Sequence, residues 1–195
     1  MPKKVLVIQA NPDPSAERFG RQLEKAYIGA ARKAGHDVIA LDLARMSIPP
    51  LTSKTEYEKG PVPKEIATAQ KQVLAAEHIV FIFPLWLGDM PALLKAFLEQ
   101  LLRPGFAYAG STEKGLPKKL LKGKSARIII TMGMPAAFYR LYYRAHSLKN
   151  LKRNILAFCG ISPARETLVG LVEAKDSTAR KRWLEKMEEM GRWAL

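Results

Sequence analysis

The chain contains 195 residues, of which 48% are hydrophobic and 26% are charged. These values are typical of a globular protein and exclude a chain that is disordered throughout, so we expect one domain over residues 1–195. The single cysteine, Cys159, excludes a disulfide scaffold. No apolar run is long enough to cross a membrane, and none resembles a signal peptide, which favours a cytoplasmic location.

The formal net charge of +14 is the most unusual property of the composition. A basic protein can bind nucleic acid, an anionic membrane surface or phosphate-bearing small molecules. The lysines and arginines are spread along the chain in short groups, which is typical of solvated helix faces. The charge therefore leaves the partner open, and no motif indicates a specific nucleic acid.

Short apolar runs rich in β-branched residues predict buried strands. The runs are nearly continuous and do not alternate with polar residues, which is the pattern of strands buried on both faces of a parallel sheet. They cover residues 5–8, 38–41, 79–83 and 126–131, with a weaker fifth candidate at 165–171.

Between these runs, apolar residues recur at helical spacing. The pattern predicts helices over residues 18–33, 64–76, 91–102 and 147–159, and a last helix that Asp176 caps. Strands and helices that alternate in this way indicate a doubly wound α/β fold, in which ligands bind outside the carboxyl ends of the strands. We therefore expect function in residues 9–18, 84–90 and 131–139.

The common catalytic and nucleotide-binding motifs are absent from the sequence. No G-x-G-x-x-G follows the first strand, and Gly123-Lys124-Ser125 lacks the earlier glycine of a Walker A motif. No G-x-S-x-G is present. The histidines are far apart in the sequence, and we predict no metal site; they are His36, His78 and His146.

The segment after the first strand leads into a helix, whose free N–H groups and positive dipole end suit an anion. Here Ser15 can cap the helix and donate to a phosphate, and Arg18 can add a charged contact. A proline-rich turn, with Ser15 as a plain cap and Arg18 in solvent, is an equally good interpretation of the residues alone.

The other two segments are more apolar. Leu85, Trp86 and Leu87 follow the third predicted strand and would suit a flat aromatic ligand, although packing against a helix or a second subunit would also explain them. Gly133 permits a close approach of the backbone to a ligand, and Tyr139 could donate a hydrogen bond. An ordinary apolar loop remains the alternative for this third segment.

The order and spacing of several short motifs resemble those of the NAD(P)H:quinone oxidoreductase family with a flavodoxin-like fold. The resemblance covers nearly the whole chain. Its motifs are Asn11-Pro12-Asp13-Pro14, Phe83-Pro84-Leu85-Trp86, Met90-Pro91-Ala92-Leu93-Leu94-Lys95, Gly105-Phe106-Ala107-Tyr108, Thr131-Met132-Gly133 and Phe158-Cys159-Gly160. It implies a five-stranded parallel sheet of order 2-1-3-4-5 and a homodimer. It also implies a flavin enzyme, with FMN or FAD as cofactor and NAD(P)H as co-substrate, that passes a hydride to a quinone.

The resemblance also implies roles for individual residues. The flavin phosphate would lie on the turn that contains Asn11, Ser15, Arg18 and Phe19. The flavin ring would contact Pro84, Leu85, Trp86 and Leu87 on one side and Thr131, Met132, Gly133 and Met134 along its polar edge. Tyr139 would lie near the quinone, and His146 falls one position from the family's active-site histidine. Tyr139 and the aromatic residues beside it would contribute to the dimer interface.

Two other functions remain open at this point. One is a one-electron carrier of the flavodoxin type, although such carriers present acidic faces and this chain is basic. The other is a flavin-binding regulatory subunit that docks on a membrane transporter, which the basic surface permits.

Overall fold

The computed structural model describes residues 1–111, 117–174 and 176–195. The strands are β1 (Lys4–Gln9), β2 (Asp37–Asp42), β3 (His78–Pro84), β4 (Tyr108–Ser111), β5 (Pro117–Lys119), β6 (Ser125–Thr131) and β7 (Ala164–Val169). The helices are α1 (Phe19–Lys33), α2 (Lys54–Lys59), α3 (Lys64–Ala75), α4 (Ala92–Leu101), α5 (Ala136–Leu141), α6 (His146–Lys149), α7 (Ala157–Cys159) and α8 (Ser177–Trp193). A 3₁₀ turn covers Leu43–Arg45, and a π-helical segment at Asn150–Leu156 joins α6 to α7.

Five strands form one parallel sheet in the order β2-β1-β3-β6-β7. Numbered among themselves, these strands have the order 2-1-3-4-5, so the predicted flavodoxin-like, doubly wound α/β fold is confirmed. The order changes direction between β1 and β3. In a doubly wound sheet this is the point where the loops at the strand ends part and leave a crevice for a ligand.

The sheet separates two apolar layers because successive side chains of a strand point to opposite faces. In β1, Leu6 and Ile8 pack in the layer that contains α3 and α4, whereas Val5 and Val7 pack in the layer with α1 and α8. All four side chains are buried. Covering helices on both faces explain why the central strands read as continuous apolar runs.

The prediction of burial on both faces is wrong for β2. This strand lies at the edge of the sheet, and only Val38 is buried while Ile39 is exposed. An edge strand pairs on one side alone and is less completely covered than the central strands. The weaker fifth candidate is a strand, β7, and forms the opposite edge.

The helix predictions differ from the structure mainly at the helix ends. The first helix begins at Phe19 and not at Arg18. The predicted helix over 147–159 begins at His146 and contains the π-helical segment. Asp176 caps α8 as predicted, since its Oδ1 accepts a hydrogen bond of 2.7 Å from the Ala179 amide. The β4–β5 pair and the short helices α2 and α5 were not predicted. Within the described part of the chain, no helix is both long and apolar enough to cross a membrane.

Candidate functional site

A cavity of about 360 Å³ lies at the carboxyl ends of β1, β3 and β6. Its wall consists of the loops after β1, β3 and β7, the last residue of β6, the start of α1 and one residue of α8. The cavity brings together six of the residues predicted for the site, namely Asn11, Arg18, Phe19, Pro84, Trp86 and Thr131. Six other residues complete the wall. Asp13 and Glu17 belong to the predicted segment 9–18 but had no individual role, whereas Gly20, Val172, Glu173 and Arg180 were not predicted.

The turn between β1 and α1 is held by its own polar side chains. The Asn11 side chain accepts a hydrogen bond of 3.1 Å from the Asp13 amide, and the Asp13 carboxylate accepts one of 2.9 Å from the Ser15 amide. Asn and Asp favour such turns because their short side chains reach the backbone two residues on. The second carboxylate oxygen of Asp13 lies 2.5 Å from Nε of Arg18. The bonds from Ser15 and Arg18 lower the pKa of Asp13.

The prediction that Ser15 caps the first helix is wrong. The helix begins at Phe19, with Arg18 in the capping position and no side-chain bond to the free amides. Ser15 lies too early, and its hydroxyl accepts only a long bond of 3.4 Å from the Glu17 amide. Since α1 begins at Phe19, the amides of Phe19 and Gly20 have no acceptor within the helix. The helix start therefore offers unpaired backbone donors next to the cavity.

Arg21 stabilises this turn by hydrogen bonds to its backbone, a role that the sequence analysis did not identify. Its guanidinium donates to the carbonyl oxygens of Asp13 at 2.8 Å and Asn11 at 3.3 Å. It also forms two bonds to the Asp42 carboxylate, at 2.8 and 3.1 Å. Although partial burial opposes it, the charge of Arg21 lowers the pKa of Asp42. A rigid guanidinium fork between two chain segments locks the shape of the turn.

The segment after β3 forms a two-residue turn. Trp86 and Asp89 exchange backbone hydrogen bonds of 2.9 Å, and both central residues have positive φ, 48° at Leu87 and 81° at Gly88. Trp86 faces the cavity and is 50% exposed, whereas Leu87 is fully exposed at the tip of the turn and does not line the cavity. Leu85 packs against the core and donates its amide to the Thr131 carbonyl at 2.7 Å.

The loops after β6 and β7 are joined by backbone hydrogen bonds. The Met132 amide donates to Val169 at 2.9 Å, and the Leu171 amide donates to Met134 at 3.1 Å. A side chain at Gly170 would lie 2.5 Å from the Ala136 amide nitrogen, so this close approach requires glycine. The Met132 side chain is buried in the core and its amide is paired, and its place along the flavin edge stays a prediction.

Of the remaining residues predicted in this loop, Gly133 is exposed and Met134 packs partly against the core. Neither lines the cavity, and of the third segment only Thr131 does so.

Tyr139 does not line the strand-end cavity, and its place near the quinone stays a prediction. The side chain is fully buried, and its hydroxyl accepts a hydrogen bond of 3.2 Å from the Leu148 amide. This burial raises the pKa of Tyr139. His146 is exposed at the start of α6 and does not line the cavity. Instead, its neighbour Ser147 donates a hydrogen bond to the carboxylate of Asp89 and so ties α6 to the turn after β3.

The charged residues in the cavity wall are of both signs. Arg18 and Arg180 supply positive charge, whereas Asp13, Glu17 and Glu173 supply negative charge. The Arg180 guanidinium lies 5.0 Å above the Phe19 ring and donates to the Val172 carbonyl at 3.1 Å. Arg180 belongs to α8, which follows the last strand, and no local sequence signal connects it to the cavity.

The chain matches the family model described as "Flavodoxin-like fold" over residues 3–190. It therefore belongs to this family, whose strand order and strand-end crevice it has. A solved structure, Smu.1420 from Streptococcus mutans UA159, is 29% identical to it, with a TM-score of 0.82, covering 97% of this chain and 98% of that one.

Relatives with named activities identify the group within that family. The chain is 32% identical to a protein named "Uncharacterized NAD(P)H oxidoreductase" from Haemophilus influenzae, over 92% of this chain and 90% of that protein. It is 27% identical to NAD(P)H dehydrogenase (quinone) 1 of Rattus norvegicus, over 94% and 74%. It is also 27% identical to FMN-dependent NADH:quinone oxidoreductase 3 of Bacillus anthracis, over 91% and 92%. The chain thus belongs to the NAD(P)H:quinone oxidoreductase family, and the resemblance noted from its motifs is confirmed.

Proposed function

We propose that this protein is an FMN-dependent oxidoreductase that passes a hydride from NAD(P)H to a quinone or a similar acceptor. The observation that carries the proposal is the strand-end cavity, which has unpaired helix amides on one side and a half-exposed tryptophan on the other. A ligand with a phosphate at one end and a flat ring at the other fits these two features. The Bacillus anthracis relative is named as FMN-dependent, and two relatives are named as quinone reductases.

The start of α1 supports phosphate binding. Within the described part of the chain, no group accepts a hydrogen bond from the amides of Phe19 and Gly20, which lie at the positive end of a 15-residue helix. Arg18 lies beside them and can supply a charge-assisted bond to a phosphate oxygen. Arg21 and Asp42 keep the turn in one shape, so that little conformational entropy is lost when an anion binds.

The opposite wall supports ring binding. Trp86, Pro84 and Thr131 line the cavity. Half of the Trp86 side chain is exposed, and covering this apolar surface with a ring would stabilise the complex. The volume of about 360 Å³ lies at the lower end of the range for small-molecule sites.

A bound flavin supplies the chemistry, since it can accept a hydride from a nicotinamide and give it to an acceptor. The protein residues hold and orient the reactants. Arg18 and the helix start would hold the phosphate end, while Pro84 and Trp86 would contact the ring. The open side of the cavity would admit the nicotinamide and then the acceptor.

We propose further that the protein is a homodimer that buries its exposed aromatic cluster. We define this cluster as Phe138, Leu141, Tyr142 and Tyr143, all of which are exposed. The rings of Phe138 and Tyr142 stack at 4.9 Å, and Tyr143 packs edge-on against both. Aromatic residues are enriched in the cores of protein interfaces. A side chain at Gly88 would lie 3.9 Å from the Tyr143 ring, so the cluster borders the turn that carries Trp86.

The absorbance spectrum of the purified protein is the decisive experiment. We expect flavin absorbance, the mass of FMN for the released cofactor, and bleaching on titration with NADPH or NADH. Steady oxidation of the nicotinamide in the presence of a quinone would then separate a two-electron reductase from a one-electron carrier. A protein that contains no flavin and binds no added FMN would overturn the proposal. A cytoplasmic location and a contact of the basic surface with a membrane transporter stay predictions.

A further inference from the structure

A second cavity, of about 330 Å³, lies beside the edge strand β7. Its wall comes from α5, the turn that follows it, α6 and the π-helical segment, with one residue from β7. It shares no lining residue with the strand-end cavity. Its size is within the range of sites that enclose a small molecule or a large part of one.

The charge of this second cavity is strongly one-sided. Five cationic side chains line it and only one carboxylate, which leaves a formal excess of four positive charges; the residues are Arg140, Arg144, Lys149, Lys152, Arg153 and Glu166. Glu166 is already committed to Lys152 at 2.7 Å and to Arg140 at 3.6 Å. These two cations lower its pKa and keep it ionised. Among the described residues, no carboxylate forms an ion pair with Arg144, Lys149 or Arg153.

The backbone around this cavity is unusual as well. Arg144 and Ala145 are consecutive non-glycine residues with left-handed φ values of 50° and 49°. Such a conformation is unfavourable for residues with a side chain and is concentrated at functional sites. Lys152 and Arg153 lie on the π-helical segment, a second form of backbone that is frequent at functional sites. Solvated surface cations on ordinary helices would require neither feature.

We propose that this cavity binds the diphosphate group of a small soluble molecule. Arginine forks bind phosphate oxygens in pairs, and lysines add point charges, so three cations without carboxylate partners suit two adjacent phosphates better than one carboxylate. The concave shape and limited volume favour a small molecule over a nucleic-acid backbone. The proposal does not depend on the reaction proposed above, because the residues of the two cavities are separate.

Calorimetric titration with inorganic diphosphate tests the proposal. The protein is saturated with FMN beforehand, so that the phosphate turn cannot account for the heat, and the salt concentration is about 0.15 M to screen weak surface attraction. We expect one saturable site. The double variant Arg144→Gln/Arg153→Gln should weaken binding by about tenfold or more, since each charge-assisted bond is worth about this factor. Both side chains are exposed, so the variant should fold.

The variant Lys64→Gln/Lys71→Gln is the matched control, because it removes two exposed cations from α3, which does not line the cavity. It should bind diphosphate as the natural protein does. No saturable binding, or equal affinity in the two double variants, would overturn the proposal. The single variant Arg153→Gln gives an independent measure if the double variant is unstable.

Binding to vesicles distinguishes a soluble diphosphate from the phosphates of a lipid headgroup. Phosphatidylcholine vesicles that contain phosphatidylinositol bisphosphate present adjacent phosphates on a lipid. Vesicle binding that Arg144→Gln/Arg153→Gln abolishes, without binding of free diphosphate, would show a lipid headgroup site and overturn the soluble ligand. Binding of free diphosphate without vesicle binding would support it.

Discussion

The Asp13 carboxylate lies at the turn where the proposed function places the phosphate of the cofactor. This carboxylate accepts bonds from the Ser15 amide and from the Arg18 guanidinium, both of which could otherwise bind a phosphate. Asp13 therefore competes with the cofactor phosphate for Arg18 and repels it as well. The ion pair is exposed and hence weak, so a phosphate can displace it.

The variant Asp13→Asn should bind FMN more tightly, by about fivefold, because it removes this competition. The asparagine oxygen can still accept from the Ser15 amide, so the turn keeps its shape. Flavin fluorescence titration of the cofactor-free protein measures the affinity, and riboflavin, which lacks the phosphate, is the control. Unchanged FMN affinity, or equal tightening of riboflavin, would contradict this role. If the natural protein binds no FMN, the proposed function fails first.

Leu87 combines left-handed backbone with complete exposure. A leucine in this conformation costs about 1–2 kcal/mol, and the turn type prefers Asn-Gly to Leu-Gly. The variant Leu87→Asn should therefore raise the free energy of unfolding by about 1 kcal/mol, measured by denaturant titration without ligand. The same change at Leu74, which is exposed within α3, should give no gain because asparagine is a poorer helix former. Equal effects at both positions would show that Leu87 is unstrained.

At the scale of elements, the amino ends of β3 and β6 are joined by a buried histidine. Nδ1 of His78 lies 2.8 Å from Oγ of Ser125 on the neighbouring strand. Burial, together with the nearby charges of Lys3 and Arg127, lowers the pKa of His78 to about 4. The folded protein thus keeps this histidine neutral under conditions in which the unfolded chain would protonate it.

This difference predicts a loss of stability in mild acid. Between pH 6.5 and pH 4 the unfolded chain binds a proton at His78 and the folded protein does not, so the free energy of unfolding falls as the pH falls. At pH 5 the loss should be about 2 kcal/mol relative to pH 7.5. Denaturant titrations at both pH values measure the free energy of unfolding. Between pH 7.5 and pH 5 this free energy should fall by about 2 kcal/mol less in His78→Asn than in the natural protein. His146→Asn, at an exposed position, should behave as the natural protein. Parallel pH dependence in all three proteins would refute the role of His78.

At the scale of the whole molecule, the aromatic cluster is a patch of exposed apolar side chains. Leu141 is 80% exposed and Tyr142 is 71% exposed, within one short stretch of the surface. Contiguous exposed apolar surface of this kind marks interaction sites. A second copy of the chain would cover it without the need for another partner.

The variant Leu141→Asp should therefore shift the protein from dimer to monomer, because it buries a charge in the proposed interface. Light scattering after size exclusion at about 10 µM measures the mass, a concentration at which a specific interface of nanomolar affinity stays associated. Leu74→Asp introduces the same change at another exposed leucine and should leave the dimer intact. A natural protein that elutes as a monomer would contradict the proposed interface.

The sequence by itself determined the five strands of the parallel sheet, the longer helices between them and the edge of the sheet at which a ligand would bind. It could do so because apolar periodicity is a local property, recorded in neighbouring residues. The motifs were also sufficient to identify the family. Pro84 and Thr131 end their strands, and Asn11 and Trp86 lie two residues beyond theirs. All four line the cavity because the carboxyl ends of these strands meet at one edge of the sheet.

Only the tertiary structure decided which side chains face the cavity and what they contact. Tyr139 was a plausible donor in sequence, but its side chain is buried in the core and its hydroxyl accepts a bond from the Leu148 amide. Arg21 fixes the phosphate turn through Asp42, which is 21 residues away, and Arg180 reaches the cavity from the last helix. These outcomes depend on contacts between distant segments, and no local pattern encodes them. The sequence therefore located the edge of the sheet that carries the site, whereas long-range packing determined its chemistry.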